Sequence, residues 1–534
     1  MKAVTRRWLD DAAMGLRYAR GLPEFLRAPV TARASDEHIR ASRASRVPAF
    51  LAMIERSVFG HASSPYLPLM RAAGVELGDV IAMTGQLGVE GTLERLYVAG
   101  VRMSLDEFKG LARLERAGVS RPLKASDFDN PHVTAHFTLL SGGSRGIRRR
   151  LVLDLDHLAD EAATEYRYAA GAGILERASL MWRSAPPGVS GLKTALRRVK
   201  MGRPVAAWFS PTPVSLSAAN LRHSLLTIFS TGVGYLKGRA VPWPRYVPLD
   251  RAETLARWLA ARRSAGGDAV LETNASGSVR VCRAALDRGL DIAGTVCRIA
   301  GEPFTRGKAD VLARAGCHAA VHYAMAETGR IGLPCGRPEH LDEVHFLDDR
   351  LAVLQQPVDV RGTDWTVPAL VLTAFHPSAP KILLNVDSGD HAVVSTRRCG
   401  CALDTIGFAT HLHDIRSHEK LTSEGMTFPG QYLLVLIDEV LPQRFGGGPT
   451  DYQFVEREEQ GTTKVDLVIA PAVGPVDEDE VRAMVLERLG QGGPTQAMMA
   501  ARWRDAGTLT VRRRDPLQTA SAKVQPLHAS VRSR

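Results

Sequence analysis

From Asp250 onward the apolar residues fall into short blocks that alternate between two spacings. Leu255, Trp258 and Leu259 recur at helical intervals, and Asp250 with Glu253 reads as the capping box that opens their helix. A short apolar run at Val270-Leu271 predicts a strand, and a helix from Ser278 to Arg288 stops at Gly289. A strand at 295–300, a helix at 306–314 opened by Thr305 and closed by Gly316, and a strand at 319–323 continue the series. Strand and helix in strict alternation imply a parallel, right-handed, doubly wound sheet. In such sheets ligands bind beyond the carboxyl ends of the strands, here Gly301-Glu302-Pro303 and the stretch from Tyr323 to Glu327.

The first 130 residues follow a helical pattern, with a basic amphipathic opening (Trp8, Leu9, Met14, Leu16) and further helical runs at Phe50 to Val58 and Leu105 to Ala117. The opening helix is expected to cover the domain behind it. A second unit begins near Arg416. Its first helix, with Pro429 at its start, carries Leu433, Leu436, Ile437, Val440 and Leu441 on one face and ends at Gly446. Strands at 452–455 and 465–470, a helix capped by Asp477 and Glu480 and a strand at 508–511 complete it. The expected class is therefore α/β, a large N-terminal domain with doubly wound parallel sheets plus a small mobile C-terminal α+β domain. The expected divisions are 1–130 (helical part of the large domain), 131–415 (its ligand-binding core) and 416–534 (a small lid).

A length of 534 residues requires more than one core. The net charge of +11 comes with Arg spread along the chain and only 6% aromatics. That composition favours a small anionic ligand over nucleic acid. Six cysteines are too few for a disulfide scaffold. Met1 to Arg20 has no apolar run resembling a secretory signal, and Tyr432 to Ile437, as long an apolar stretch as any in the chain, cannot span a bilayer. The sequence reads as cytoplasmic.

Chemistry concentrates in two places far apart in the chain. Ser141-Gly142-Gly143-Ser144-Arg145-Gly146 is a Gly-Ser loop whose backbone N–H groups can close around phosphate, and Glu327, before Thr328-Gly329, can hold the Mg²⁺ that neutralises it. Gly301 to Lys308 misses a Walker loop by one residue, and Gly232-Val233-Gly234 lacks the third glycine of a dinucleotide fingerprint. His-Glu-x-x-His is absent, which together with the incomplete fingerprint removes support for metalloprotease and dehydrogenase readings.

Taken in order, these motifs resemble the adenylate-forming (acyl-CoA synthetase) superfamily, and within it the phenylacetate–CoA ligase-like branch, over about Ser141 to Lys523. The resemblance implies ATP-dependent activation of a carboxylic acid to an acyl-adenylate, then thioester formation, usually with CoA. An amine or a carrier-protein thiol is the alternative acceptor, and a non-catalytic nucleotide-binding homologue the alternative role. By the same resemblance Ser141, Gly142, Gly143, Ser144 and Gly146 would hold phosphates, Gly301, Glu302, Pro303 and Tyr323 would line adenine, and Asp390 would accept the ribose hydroxyls. Arg416 would approach the ribose, His418 or Glu419 would be the hinge, Glu327 would bind Mg²⁺, and Lys523 would be the catalytic cation. Cys399-Gly400-Cys401 with Cys335 and His345 corresponds to a structural Zn²⁺ site of part of the branch, with His340 as a substitute ligand.

Several positions depart from the family pattern. Ala324 and Ala326 replace Gly and Thr, Asp387 replaces Arg, Ala522 replaces Gly and Arg145 replaces Thr. Losing one hydrogen bond to a charged group costs about 1.5–3 kcal/mol, which slows a reaction without abolishing it. The acid pocket is expected between Trp208 and Thr231, where Trp208, Phe209, His223 and Phe229 suggest an apolar or aromatic acid.

Overall fold

The computed structural model describes the chain except residues 1, 141–149, 187–189, 215–220, 360–365, 418–421, 424–425, 428–429, 460–461, 492–499, 502, 505–506, 519–523, 525 and 530–534. Five helices of the N-terminal part, Lys2–Arg27, Ala32–Ala44, Arg46–Met53, Leu67–Ala72 and Leu77–Val98, follow the predicted pattern. The helix expected over Leu105 to Ala117 does not form. Ser104 and Glu107 make a reciprocal capping box, but the helix stops at Phe108, and a hairpin of Arg113–Arg116 and Val119–Pro122 follows. Ala117 and Gly118 both have positive φ (50° and 76°), as the tightest hairpin turns require. In the first of these strands only Leu114 points inward, a period of two that the helical reading overlooked.

A 12-stranded sheet organises the large unit. Its parallel half runs, in spatial order, through His318–Met325, Val296–Ala300, Ala269–Thr273, Ala178–Trp182, Ala207–Ser210 and the edge strand Arg245–Tyr246. The helices Ala275–Asp287 and Arg306–Arg314 cross between the parallel strands as expected. The first begins three residues earlier than predicted, because Asn274 accepts from Gly277 N and caps it. Asp250 caps nothing: it sits in a single 3₁₀ turn, Leu249–Arg251, and the helix Glu253–Ser264 starts behind Ala252 without a side-chain cap.

The other half of the sheet is antiparallel. After Met325 the chain reverses through three residues into Gly329–Pro334, leaving no room for the crossover a parallel partner needs. Val344–Phe346, Thr410–Ser417, Leu383–Thr396, Thr366–Ala374 and Leu351–Asp359 extend it to the far edge. The doubly wound reading thus holds for one half of a mixed sheet.

The small C-terminal unit has a four-stranded sheet ordered Leu509–Arg513, Thr462–Ile469, Tyr452–Glu459 and Leu527–Ala529. Its helix Glu478–Gly490 is capped by Asp477, which accepts from Asp479 N and Glu480 N. Its own core contains Leu433, Ile437, Phe454, Leu467, Val485 and Trp503. Pro429, expected to start its first helix, lies outside the described residues, and the last strand, Leu527–Ala529, was not predicted. Arg283 bonds Asp451 across to the large unit at 2.7 Å. Gly307 lies so close to the Asp438 carbonyl that a Cβ would sit 2.2 Å from its oxygen.

Candidate active site at the carboxyl ends of the parallel strands

Val296–Ala300 and His318–Met325 run parallel, with His322 opposite Ala300, so Gly301-Glu302-Pro303 and Tyr323 emerge side by side at one end of the sheet. Gly301 turns the chain at φ 83°, a backbone conformation that suits glycine. The carboxylate of Glu302 accepts from Ser276 N and Ser276 Oγ, both at 2.7 Å, at the amino end of the helix Ala275–Asp287. Free N–H groups and the helix dipole favour an anion there.

The same Ser276 hydroxyl lies 3.3 Å from the carbonyl oxygen of Val524. Val524 is buried and pairs with Gln518 in an isolated bridge, so these two residues bracket the stretch that carries Lys523. Lys523 itself lies outside the described residues, as do Ser141, Gly142, Gly143, Ser144 and Gly146 of the phosphate loop and the hinge residues His418 and Glu419. Of the loop, the structure shows its flanks: Phe137–Leu140 and Arg150–Leu153 pair antiparallel, Leu140 opposite Arg150.

Tyr323 is buried, and its hydroxyl donates to Asp390 Oδ2 at 2.9 Å. Burial, then the Asp390 carboxylate, push its pKa up, so it remains a protonated donor. Asp390 follows Gly389, whose φ of 75° turns the strand, and Ser388 Oγ and Asp387 Oδ1 accept from the N–H groups of Asp390 and Gly389. Ser417, opposite Asp390 in the register, donates to the Gly389 carbonyl at 3.0 Å. Arg416 is one register position away, but its guanidinium turns to Asp342 at 2.7 Å. Asp342 also accepts from Asp414 N and Ile415 N, which anchors the end of that strand. Glu327 occupies the turn between Met325 and Gly329 and is half-buried.

Behind that turn is a buried ionic network that sequence reasoning missed. Glu161 and Glu165, on the helix Leu155–Gly171, meet Lys193 and Arg197 of the helix Ser190–Lys200 (Lys193 Nζ–Glu161 Oε1 3.1 Å, Arg197 Nη1–Glu161 Oε2 2.9 Å). Arg330 reaches Glu165 at 2.7 Å, and Arg298 bridges Glu165 at 3.0 Å and Glu272 at 2.6 Å. Burial alone would raise the pKa of Glu165, but Arg197, Arg330 and Arg298 outweigh it and hold the carboxylate well below its ordinary value. Arg298 Nε also donates to His322 Nε2 at 3.0 Å, and His322, pushed well below the ordinary value first by burial and then by Arg298, stays neutral. Gly329 at φ 82° joins the network to the site, for a Cβ there would sit 2.4 Å from Glu161 Oε1 and 2.6 Å from His157 Nε2. The available signal was a lone charge within an apolar strand: Arg298 in Val-Cys-Arg-Ile-Ala and Glu272 in Ala-Val-Leu-Glu-Thr.

The expected acid-pocket residues are mostly packed. Trp208 is 1% exposed, its indole N–H donates to the Arg183 carbonyl at 2.8 Å, and Phe229 packs on Tyr18.

On the antiparallel side, Cys335, His345, Cys399 and Cys401 are all buried, with their ligand atoms within 4.8 Å of one another. His345 Nδ1 lies 2.8 Å from the Phe408 carbonyl oxygen, so Nδ1–H donates there and Nε2 faces Cys401 Sγ at 3.0 Å. His340 is elsewhere: it is exposed and stacks on His413, with ring centroids 3.6 Å apart. A second thiol cluster, Cys282, Cys297 and Cys317, is buried toward the opposite end of the parallel strands and was not foreseen.

No family model matches the chain, and no curated protein matches it in sequence. Among solved structures the chain is similar to a 2-hydroxyisobutyryl-CoA ligase in complex with 2-HIB-AMP and CoA in the thioesterification state (14% identity, 94% of this chain, 91% of that chain, TM-score 0.43). It is similar also to O-succinylbenzoate coenzyme A synthetase from Bacillus subtilis in complex with ATP and magnesium ion (12%, 73% of this chain, 68% of that chain, TM-score 0.42). A benzoate CoA ligase from Burkholderia xenovorans LB400 is a third (13%, 77% of this chain, 71% of that chain, TM-score 0.43). These likenesses are distant. No helix among the described residues is long and apolar enough to cross a membrane.

Proposed function

We propose that the protein is an adenylate-forming acid–thiol ligase, in which a carboxylate attacks the α-phosphate of ATP, pyrophosphate leaves, and a thiol, that of CoA in this reading, then displaces AMP from the acyl group. One observation supports the reading: Ser276 meets both Glu302 and Val524, so Val524, next in the chain after Lys523, lies at the strand ends from which Tyr323 reaches Asp390. That is the convergence an ATP site needs. Asp390, which Tyr323 holds through Oδ2, would accept the ribose hydroxyls, a task suited to a carboxylate. Lys523 would offset the repulsion between the acid and the phosphates in a site shielded from water. Mg²⁺, held by Glu327, would supply the charge neutralisation that phosphoryl oxygens require during attack.

Cys335, His345, Cys399 and Cys401 fit Zn²⁺ in our reading: three sulfurs and an imidazole nitrogen complete a tetrahedral set and leave no position open for chemistry. The ion would brace the antiparallel half of the sheet. Rotation of the small unit about His418 and Glu419 would withdraw Lys523 and admit the thiol.

A second reading, a homologue that binds nucleotide without turnover, draws on the motif departures, among them Ala326 in place of a Thr whose hydroxyl would touch the α-phosphate. Acid-dependent ATP–pyrophosphate exchange across a panel of carboxylic acids tests the proposal. Exchange with at least one acid, followed by thioester formation when CoA is added, supports it; ATP binding with no exchange for any acid favours the second reading. Exchange followed by transfer only to an amine or a carrier thiol would change the acceptor and keep the first step.

A further inference from the structure

The helix Leu221–Leu236 is apolar on both sides: Leu226, Phe229 and Val233 pack on the core, and a second apolar stripe does not. His223, Ser224, Thr227 and Ser230 are buried, and Ser230 Oγ lies 2.7 Å from the Tyr18 hydroxyl on the neighbouring N-terminal helix. Five further apolar residues face outward: Leu221, Leu225, Ile228, Tyr235 and Leu236 are 44%, 53%, 43%, 83% and 81% exposed. At helical periodicity these five positions fall within a sector about 100° wide, the width with which a helix ordinarily faces a core. Here that sector faces solvent.

Its surroundings indicate what covers it. Trp243 and Tyr246, 44% and 55% exposed, follow the helix in the chain, Tyr246 on the edge strand Arg245–Tyr246 of the sheet. Lys237, just past the end of the helix, and Arg245 are exposed as well. From Arg177 to Leu249 the chain has eleven Lys and Arg and neither Asp nor Glu, so this stretch alone equals the net charge of +11. Some of these cations are spent in the buried network, but none of the stretch offers an anion. A second copy would bring two basic rims together, which like-charge repulsion opposes. The face is a single convex helix. Exposed leucines and isoleucine between aromatic rings with a basic rim are what a helix lying in a lipid headgroup layer presents.

We propose that the helix Leu221–Leu236, with Trp243 and Tyr246, seats the protein on the surface of a membrane containing anionic lipid. The apolar stripe would enter the headgroup and acyl boundary, and Lys237 and Arg245 would meet the lipid phosphates. Attachment of this kind is peripheral and reversible, and does not require a spanning segment.

Flotation of the full chain with vesicles tests this. With vesicles of phosphatidylcholine mixed with phosphatidylglycerol the protein should float, and with pure phosphatidylcholine it should float at least about tenfold less. A Leu225→Glu, Ile228→Glu double variant should lose flotation on the mixed vesicles while melting as the parent does, because both side chains are exposed. A Lys237→Gln, Arg245→Gln variant should bind more weakly and lose its dependence on salt. No flotation with the mixed vesicles, or flotation that the double Glu variant leaves unchanged, overturns the proposal. A concentration-dependent dimer that the double Glu variant dissolves also overturns it, making a second copy the occupant.

Discussion

The Tyr323 hydroxyl donates to Asp390 Oδ2 at 2.9 Å, joining two strands that are not neighbours in the sheet and residues 67 positions apart. Without a partner for the phenol, a buried tyrosine would leave a polar group unsatisfied. The bond also leaves Asp390 pointing where Tyr323 ends, at the carboxyl edge of the parallel strands.

If Asp390 accepts the ribose hydroxyls, Asp390→Ala removes hydrogen bonds to a charged acceptor, each contributing about 1.5–3 kcal/mol. The KM for ATP in pyrophosphate exchange should rise by at least about tenfold, while the KM for the acid moves little. An unchanged KM for ATP would remove Asp390 from the nucleotide site.

Lys523→Ala should depress exchange by about a hundredfold or more, because its cation would act on charge that develops during attack. Supplied with preformed acyl-adenylate, the variant should still make thioester at close to the parent rate. Equal loss in both half-reactions would point to damage of the fold rather than to a role in adenylation.

Stability should fall as the medium is acidified, and it should begin to fall above the carboxylate range. Burial depresses the His157 pKa to about 3, with Lys193, Arg350 and Arg197 pressing in the same direction against Glu161. Its contribution is complete above the unfolded histidine value near about 6.5 and is lost as pH drops through the folded one, since the unfolded chain takes the proton first. Glu165, held down by its arginines, adds a second loss below about pH 4.3 with the same sign. Urea unfolding across pH reads both. Arg298→Met, which takes the paired cation from Glu272 and one of three from Glu165, should cost about 3–5 kcal/mol at neutral pH; a loss below about 1 kcal/mol would show that the network relaxes or takes up water.

The purified chain should carry one zinc in the thiol–imidazole cluster, and Cys399→Ser should lower both the metal content and the melting temperature. Chelation at neutral pH should reproduce the variant's melting curve. A full complement of metal in Cys399→Ser would exclude that cluster as its site.

Uniform burial made some elements legible in the sequence, although the fully buried strand Gly329–Pro334 was not among them. The strands Ala269–Thr273 and Val296–Ala300 and the helix Arg306–Arg314 were legible because fully buried parallel strands and amphipathic crossovers announce themselves by apolar runs and by glycine stops. The hairpin at Arg113–Pro122 was not, because four-residue strands offer too few positions to separate a period of two from one of 3.6. In the candidate site, Tyr323 and Asp390 were picked out by motif, yet their mutual bond depends on strand pairings that no local pattern encodes.

What the chain's residues determined by themselves was local: which segments alternate, where glycine and capping residues end them, and which motif residues emerge where strands stop. Tertiary structure alone decided which charges are buried together and which apolar residues are left outside. Glu161, Glu165 and Arg330 look in sequence like any solvated charges, and Leu225 and Ile228 like any core residues. A side chain's free energy depends on the dielectric and the partners around it, and those are set by elements hundreds of residues away.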